Sequence, residues 1–369
     1  MIPSGWERKK IADVATFQRG FDLPSSVRVG GKFPIVSSGG ISGWHNQPKA
    51  KGPGVVTGRY GSVGAVFFIE KDYWPLNTSL WVKNFHGNDP KYIYFLTCTL
   101  DFKKLSDKTG VPGINRNDLH RMEVLIPPLS EQEKITREID VWNRAIDLTE
   151  RLIAAKQERR KWLMQQLLTG KRRLTGFSKP WRTVTLGNVF TNRVDTNCTD
   201  LPLVAITGEN GVVRRDGLIR RDTSSEDKSR YLKICPGDIG YNTMRMWQGV
   251  CGFSRLEGIV SPAYTVVTPG DDVDGEFIAL LFTSQPVVHL FHRHSQGMVN
   301  DTLNLKFRNF AKIRVTIPDR EEQRAIASVF RLIDRELELM KKQAAALQEQ
   351  KRGLMQQLLT GKKRVKIEA

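Results

Sequence analysis

The chain has 369 residues, which is enough for two or three domains, and its 40% hydrophobic content excludes a disordered protein. An excess of 57 Lys and Arg over 39 Asp and Glu gives a net charge of +18, which favours a nucleic-acid partner over a ribosomal or membrane-surface role. The four cysteines form no C-x-x-C pair, no apolar run is long enough to span a membrane, and the polar N-terminus lacks a secretion signal, so we expect a cytoplasmic protein.

Residues 1–129 are predicted to form a first globular α/β domain. Short apolar runs such as VGAVFFI and SLWVKN alternate with Gly- and Pro-rich turns, which is typical of strands, and residues 90–102 have a helical pattern. Two loops of this domain carry polar and aromatic side chains on backbone that can approach a ligand closely. The candidate DNA-binding residues of these loops are Arg59, Tyr60, Lys108, Asn115 and Arg116.

Residues 130–170 are predicted to form one long helix. Ser130 and Glu133 have the spacing of a capping box, and apolar residues then recur at alternating steps of four and three over about five heptads. Gly170 lies where a glycine ends a helix. A helix of this length spans roughly 60 Å, so we interpret it as a scaffold.

Residues 171–319 are predicted to contain a linker and a second globular α/β domain. Strand-like runs such as AYTVVT and KIRVTIP lie on either side of a helical stretch at 275–294. In the major groove Arg can pair with guanine, and Asn or Gln with adenine, whereas a solvated turn or a phosphate contact is the alternative for each loop residue. The candidate DNA-binding residues of this domain are Thr243, Arg245, Gln248, Arg293, Gln296 and Asn300.

The last predicted elements are a second long helix at 320–361 and a basic tail at 362–369. Asp319 with Glu322 repeats the capping spacing of the first helix, and Gly361 repeats its terminal glycine. The predicted fold class is therefore α/β, with two globular domains that are each followed by a long helix.

The two halves of the chain form an internal repeat. The segment LMQQLLTGK ends both helices at a separation of 191 residues, and 20 of 46 residues are identical between 126–171 and 317–362. The globular parts repeat only loosely, with Trp6 matching Trp181 at an offset of 175 residues. Because each helix is the other's nearest sequence match, we predict that the two pair as an antiparallel coiled coil with pseudo-twofold symmetry. Similar helices joined to divergent domains suggest one framework that presents two different recognition surfaces.

Motifs of covalent chemistry are absent from the sequence. There is no G-x-x-x-x-G-K-[ST] nucleotide loop, no Asn-Pro-Pro-aromatic methyltransferase motif, no G-x-S-x-G and no H-E-x-x-H. The close spacing of His289, His292 and His294 leaves a metal site as an alternative to a basic surface that includes Arg293. We therefore expect neither catalysis nor a cofactor in this chain.

Three motifs distinguish the chain: IPPLSEQEKI from Ile126, the QQLLTGK helix ends, and the W-x-x-x-x-[IL] opening of each domain. With these motifs in the order domain, helix, domain, helix, the whole chain resembles the specificity subunit of type I restriction–modification enzymes. The second copy departs from the family pattern, since Asp319 and Arg320 replace Pro128 and Leu129.

The resemblance implies that each target-recognition domain binds one half of an asymmetric bipartite site on double-stranded DNA, while the helices set the spacer and dock other subunits. Two modification subunits would methylate adenine with S-adenosylmethionine. Restriction subunits would use ATP and Mg to translocate and cleave DNA. The chain itself would be non-catalytic.

Two other classes of function fit parts of the sequence. A stand-alone DNA-binding regulator on the same scaffold would bind one sequence tightly without any methyltransferase partner. A purely structural coiled-coil adaptor would explain the helices but neither the paired loops nor the charge, and its behaviour with DNA would not depend on salt.

Overall fold

A computed structural model describes residues 2–105, 113–208, 211–217, 225–299 and 302–366. The chain divides into two compact units. Unit 1 comprises Met1–Arg151 and Lys341–Ala369, and unit 2 comprises Leu152–Met340. Each unit therefore contains one globular domain together with part of each long helix. None of the helices in the described ranges is long and apolar enough to cross a membrane.

In the described residues, the first half of the chain has nine short strands with three short α-helices among them and ends with a long helix. Its elements are, in chain order, β1 (Glu7–Lys10), α1 (Ile11–Val14), β2 (Thr16–Arg19), β3 (Phe33–Ser37), β4 (Gly40–His45), β5 (Gly54–Gly58), β6 (Val66–Ile69), β7 (Trp74–Pro75), β8 (Ser79–Asn84), α2 (Pro90–Cys98), α3 (Arg116–Arg121), β9 (Glu123–Ile126) and α4 (Leu129–Leu167). β1 and β9 form an antiparallel ribbon, and β2-β8-β5-β6 form an antiparallel sheet. The order β4-β3-β7 forms a third sheet, in which β3 and β7 run parallel.

The second half repeats this plan. Its elements are β10 (Arg182–Thr185), α5 (Leu186–Val189), β11 (Phe190–Arg193), β12 (Val204–Thr207), β13 (Gly211–Arg214), β14 (Leu232–Ile234), β15 (Ile239–Asn242), β16 (Cys251–Phe253), β17 (Gly258–Val260), β18 (Tyr264–Pro269), α6 (Gly275–Phe282), α7 (Gln285–His294), α8 (Phe307–Phe310), β19 (Arg314–Ile317) and α9 (Arg320–Leu359). The β10–β19 ribbon and the sheet β11-β18-β15-β16 correspond to the ribbon and the four-stranded sheet of unit 1. Two-stranded pairs β12–β13 and β14–β17 complete the unit.

Each unit has its own hydrophobic core, built around its four-stranded sheet. In β5, Val55 packs in the main core of unit 1 and Val56 in a smaller cluster, because successive side chains of a strand point to opposite faces. The helix beside this sheet begins at equivalent caps in the two units. Asp89 accepts the N–H of Tyr92 at 2.6 Å ahead of α2, and Asp274 makes the matching bond ahead of α6.

The long helices run antiparallel. In unit 2, Lys156 of α4 pairs with Glu336 of α9 at 2.6 Å, and Arg160, one turn later on α4, pairs with Asp334, which is earlier on α9. Within unit 1, Gln348 of α9 donates to Glu150 of α4 at 2.9 Å. The predicted antiparallel pairing is confirmed.

The ends of the long helices follow the capping pattern in part. After α4 and α9, Gly170 and Gly361 adopt φ of +69° and +70°, the left-handed conformation of a terminal glycine. At the start of α9, Asp319 accepts the N–H of Glu322 at 3.0 Å, as an N-cap does. At the start of α4, Ser130 lies inside the first turn rather than at the cap, because the helix already begins at Leu129.

A buried glutamine fixes each globular domain to the start of its long helix. The Gln132 side-chain oxygen accepts the N–H of Asp89 at 2.9 Å, and its amide group donates to the carbonyl of Pro127 at 2.9 Å. Gln323 makes both equivalent bonds in unit 2, at 2.8 and 2.9 Å. The Glu-Gln pair that marks both helix starts in the sequence therefore has a structural role at the junction of domain and helix.

The glutamate of that pair forms a buried ion pair that we call the latch of unit 1. Glu131 is fully buried, accepts the indole N–H of Trp6 at 3.0 Å, and binds the guanidinium of Arg364 through both carboxylate oxygens at 2.6 and 2.7 Å. Arg364 also donates to the Ser4 carbonyl at 2.9 Å. Arg364 of the basic tail therefore lies against the start of the chain.

The latch of unit 2 has the same three residue types. Glu322 is buried, accepts the Trp181 indole N–H at 3.3 Å, and binds Arg173 through two bonds of 2.6 and 2.5 Å. Arg173 lies just after α4, as Arg364 lies just after α9. Hydrogen bonding to Glu322 raises the pKa of the Arg173 guanidinium above its usual value, because the carboxylate stabilises the protonated form of the arginine.

Candidate nucleic-acid interface

In unit 1, the loop after β5 and the segment before α3 form a recess of ≈ 430 Å³. The N–H of Arg59 donates to the carbonyl of Thr78 at 2.9 Å, and the carbonyl of Arg59 accepts the N–H of Ile114 at 2.9 Å. Tyr60 and Gly113 form an isolated antiparallel bridge beside them. Backbone hydrogen bonds therefore hold the two recess-forming segments together, which leaves the side chains there available to a ligand.

Four of the five candidates in unit 1 line this recess. The Arg59 guanidinium lies 4.5 Å from the centre of the Tyr60 ring, whose side chain is 41% exposed and could stack on a base. Asn115 is the N-cap of α3, and its side chain accepts the N–H of Asn117 at 2.9 Å. Since this bond already uses its carbonyl oxygen, Asn115 offers mainly its amide N–H groups. Arg116 follows in the first turn of the same helix.

The structure adds Arg19 to this group. It ends β2, and the register of β2 on β8 places it opposite Leu80, which also lines the recess. No local motif marks Arg19 in the sequence, and only a correct pairing of β2 with β8 could have found it. With Arg59 and Arg116 it brings three guanidinium groups to one recess, a composition suited to phosphate or to guanine.

In unit 2, the turn after β15 carries three candidates. The side chains of Arg245 and Gln248 are exposed, while Met246 between them is fully buried and anchors the turn. The Thr243 hydroxyl donates to the carbonyl of Ala263 at 2.7 Å. The side chains of Arg245 and Gln248 are therefore free to reach a ligand, whereas Thr243 would first have to break its bond to Ala263 to donate its hydroxyl.

The other two described candidates of unit 2, Arg293 and Gln296, lie at the end of α7 and in the loop after it. Trp247 of the turn packs edge-on against His292 of α7, with ring centres 5.9 Å apart, and exposed Arg293 is the next residue of that helix. Gln296 pairs with Asn304 in an isolated bridge. The turn therefore contacts the end of α7, and the N–H of Leu305, next to Asn304, donates to the carbonyl of Thr243 in the turn at 2.8 Å.

Two candidates, Lys108 of unit 1 and Asn300 of unit 2, lie outside the described residues. The assignment of DNA contacts to them remains a prediction from the sequence.

Equivalent positions of the two units carry different chemistry. Thr243 makes the same pair of backbone bonds as Arg59, since its N–H donates to Ala263 at 3.1 Å and its carbonyl accepts the N–H of Leu305 at 2.8 Å. The strand registers of β5 on β8 and of β15 on β18 agree with this match. In the same register, the counterparts of Asn115 and Arg116 are Lys306 and Phe307. A repeated backbone frame therefore presents an Arg-rich recess in one unit and Thr, Lys and Phe in the other.

The three histidines that suggested a metal alternative lie on or at the end of α7. His292 packs against the Trp247 ring, and the Nδ1 atom of His294 lies 2.8 Å from the Leu290 carbonyl, as in a hydrogen bond. Among the described residues, no group of three or more His, Cys, Asp or Glu side chains is arranged to hold a metal ion.

Comparison with known proteins identifies the family. Residues 3–156 and 179–349 match the model of the type I restriction modification DNA specificity domain. The chain belongs to that family. It is a DNA sequence-specificity subunit of a type I restriction–modification system, as its motifs predicted, and the two matched segments correspond to the two halves of the repeat.

Individual relatives agree with this assignment. The type I restriction enzyme MjaVIII specificity subunit of Methanocaldococcus jannaschii is 25% identical over 315 residues, which are 77% of this chain and 72% of that subunit. The type I S subunit from M. genitalium superposes with a TM-score of 0.61 at 15% identity and covers 96% of both chains. The HsdS subunit from Thermoanaerobacter tengcongensis superposes with a TM-score of 0.53 at 16% identity over 98% of both chains. The predicted fold class is confirmed.

Proposed function

We propose that unit 1 and unit 2 each recognise one half of an asymmetric bipartite DNA sequence. The observation that supports this is the difference in chemistry at equivalent positions of a repeated frame, where Arg59 and Arg116 of unit 1 correspond to Thr243 and Phe307 of unit 2. Different side chains in the same place offer different donors, acceptors and apolar contacts to base edges. The net charge of +18 supports the phosphate contacts that any such complex needs.

Replacing Arg59 by alanine tests this division. If Arg59 contacts a base, the variant loses about 1–3 kcal/mol of discrimination at one position of one half-site, and the other half-site keeps its preference. The measurement is selection of bound sequences from a randomised DNA library by the assembled complex. Thr243→Ala is the matched variant, and any change it causes is expected in the opposite half. An equal loss of affinity on all sequences would instead assign Arg59 to phosphate.

We also propose that the long helices dock two modification subunits. Exposed apolar residues recur one heptad apart at equivalent positions of both helices, and we call them the α4 stripe (Val141 and Leu148) and the α9 stripe (Leu332 and Leu339). These side chains are between 53% and 66% exposed, which is unusual for an apolar row on a helix that has no further partner. Because the stripes are copies of each other, two copies of one protein fit them better than two different proteins.

In this assignment the specificity subunit is non-catalytic. The modification subunits would carry S-adenosylmethionine and methylate adenine, and restriction subunits with ATP and Mg would join the assembly.

Charge substitution in the stripes tests docking. Leu148→Glu is expected to remove one modification subunit and Leu339→Glu the other, because a carboxylate in an apolar interface is left without a partner. Native mass spectrometry of the chain mixed with a modification subunit of the same restriction–modification system measures the stoichiometry. Val27→Asp, which changes an exposed apolar residue of the first globular domain, is the control. Full assembly with both stripes substituted would contradict the proposal.

The role of the helices as a spacer is tested by lengthening both together. Seven residues inserted after Arg151 and seven after Met340 preserve the heptad register of the antiparallel pair and lengthen it by about 10 Å. We expect the preferred gap between half-sites to grow by about three base pairs, while the half-sites keep their sequences. Altered half-sites with an unchanged gap would show that scaffold and recognition are not separate.

A further inference from the structure

Unit 2 contains a cleft of ≈ 850 Å³ beside its long helices. Phe253 of β16, Ala279 of α6 and Phe330 of α9 line its apolar part, and Arg160 of α4 lines one side. Neither the recognition loops nor the two stripes account for this space.

The corresponding place in unit 1 shows what fits there. Because α2 and α6 start at equivalent caps, Tyr94 and Ala279 are both the fifth residue of their helix. The strand registers likewise match Phe68 with Phe253. In unit 1 the Tyr94 ring packs against Phe68, with ring centres 5.7 Å apart. The phenol ring thus occupies the position that Ala279 leaves open in unit 2.

The rim of the cleft is charged and carries one more cation than anion. Its basic groups are Arg160, Arg255, Arg331 and Arg335, and its acidic groups are Glu276, Asp334 and Glu338. Glu276 is shared, since Arg255 and Arg331 bind its two carboxylate oxygens. An occupant with a carboxylate beside its ring would complement this rim.

The cleft also adjoins the α9 stripe. Arg331 and Glu338 on the rim directly precede Leu332 and Leu339 of the stripe along the helix. Because neighbouring residues of a helix point about 100° apart, the stripe and the rim lie on adjoining faces of α9, and a chain docked on the stripe meets the rim at the edge of its contact area. This continuity points to the docked protein, rather than to DNA, as the source of the occupant.

We propose that the cleft receives an aromatic side chain, flanked by a carboxylate, from the modification subunit docked on the α9 stripe. In unit 1 the equivalent place is filled by Tyr94, so the copy on the α4 stripe lacks this anchor. The two modification subunits are then bound with unequal affinity although their stripes are alike. The inference rests on the proposed docking of modification subunits and adds which copy binds more tightly.

Filling the cleft tests the assignment. Ala279→Tyr introduces the ring that unit 1 already accommodates, so the full chain is expected to fold. In a Leu148→Glu background, where only the α9 stripe can dock, the affinity for the modification subunit should fall at least tenfold by isothermal titration calorimetry, which corresponds to about 1.4 kcal/mol. In a Leu339→Glu background, where only the α4 stripe can dock, Ala279→Tyr should change nothing. Val194→Tyr, on an exposed position of the same unit outside the cleft, is the matched control.

The mirror variant keeps the proposal testable even where Ala279→Tyr lowers stability. Tyr94→Ala opens the equivalent place in unit 1 and should raise the affinity of the copy on the α4 stripe. Unchanged affinity in both variants would overturn the cleft assignment and leave the docking proposal intact. No binding by the unsubstituted chain would overturn the docking proposal and the cleft assignment with it. Loss of DNA affinity with normal docking would assign the cleft to DNA and also overturn the inference.

Discussion

The two units are alike where they join domain to helix and unlike at the positions proposed to contact DNA. Both latches consist of Trp, Glu and Arg, and both glutamates are almost completely buried. Equivalent positions of the proposed DNA interface, by contrast, hold Arg59 in one unit and Thr243 in the other. Burial explains the difference, because a buried charge tolerates few changes of partner, whereas an exposed loop on a fixed backbone tolerates many.

One ion pair between a short helix and a long helix is conserved between the units as a contact but not in its residue types. Lys91 of α2 pairs with Asp140 of α4 at 2.6 Å in unit 1, and at the equivalent positions Glu276 of α6 pairs with Arg331 of α9 at 2.6 Å. The contact is repeated, but its polarity is reversed. At these partly exposed positions the opposite charge of the two partners matters, and the order of the charges does not.

The largest effect is expected from breaking a latch. Among the described contacts, Arg173→Ala leaves the buried carboxylate of Glu322 with the Trp181 indole alone, and we expect unit 2 to lose about 3–4 kcal/mol of stability. Arg364→Ala should cost unit 1 slightly less, about 2–3 kcal/mol, because the Arg364 side chain is 39% exposed and water can replace part of its interaction. Hydrogen exchange followed by mass spectrometry measures each unit separately.

A surface ion pair in the same protein is the control for the latch variants. Arg8 and Glu123 pair at 3.2 Å with both side chains more than half exposed, and Arg8→Ala should cost no more than about 0.5 kcal/mol. If the latch variants were as mild as this control, the latches would not be what holds each domain to its helix.

Reversing the charges of the Lys91–Asp140 pair is expected to change stability less than breaking a latch. It tests directly whether this pair is equivalent to the Glu276–Arg331 pair of unit 2. Lys91→Glu places two carboxylates together and is expected to destabilise unit 1 by about 1 kcal/mol. Adding Asp140→Arg gives unit 1 the polarity that unit 2 already has and should restore the stability. Urea denaturation of the four members of this double-mutant cycle measures the coupling. A double variant no more stable than Lys91→Glu alone would show that the two pairs are not equivalent.

The features that could be predicted from the sequence are those with a local signal. The heptad repeat and the terminal glycines placed the long helices within a few residues of their observed ends, and the duplicated motif indicated their pairing. The loop candidates around Arg59 and Asn115 came from glycines and polar residues close together in the chain. The repeat marked the latch glutamates and tryptophans, but nothing local in the sequence pairs them with their arginines, since Glu131 and Arg364 are 233 residues apart. The same holds for Arg19, which only strand pairing brings to the recess.

The smallest expected effect concerns a histidine that unit 2 lacks. His120 of α3 accepts the backbone N–H of Phe17 at 2.9 Å through Nε2, and the register-equivalent residue of unit 2 is Ala311. Burial lowers the pKa of His120 from its usual 6.5, and the nearby Arg116 lowers it further. Protonation also removes the acceptor of the Phe17 bond.

Folding therefore favours neutral His120, and the sign of the pH dependence follows. Above pH 6.5 His120 is neutral in the folded and the unfolded chain, so its contribution to stability is complete there. Below 6.5 the unfolded chain binds the proton first, and unit 1 is expected to lose stability as the pH falls towards the lowered pKa of the folded state. His120→Gln keeps an acceptor for Phe17 but does not titrate in this range, so hydrogen exchange at pH 7.5 and pH 5.5, corrected for the intrinsic rate, should show a several-fold smaller change in unit 1 peptides than in the unsubstituted chain. Unit 2 peptides, with Ala311 at this position, should respond alike in both proteins. An identical response of unit 1 in both proteins would mean that the pH sensitivity arises elsewhere and that His120 is not a point of difference between the units.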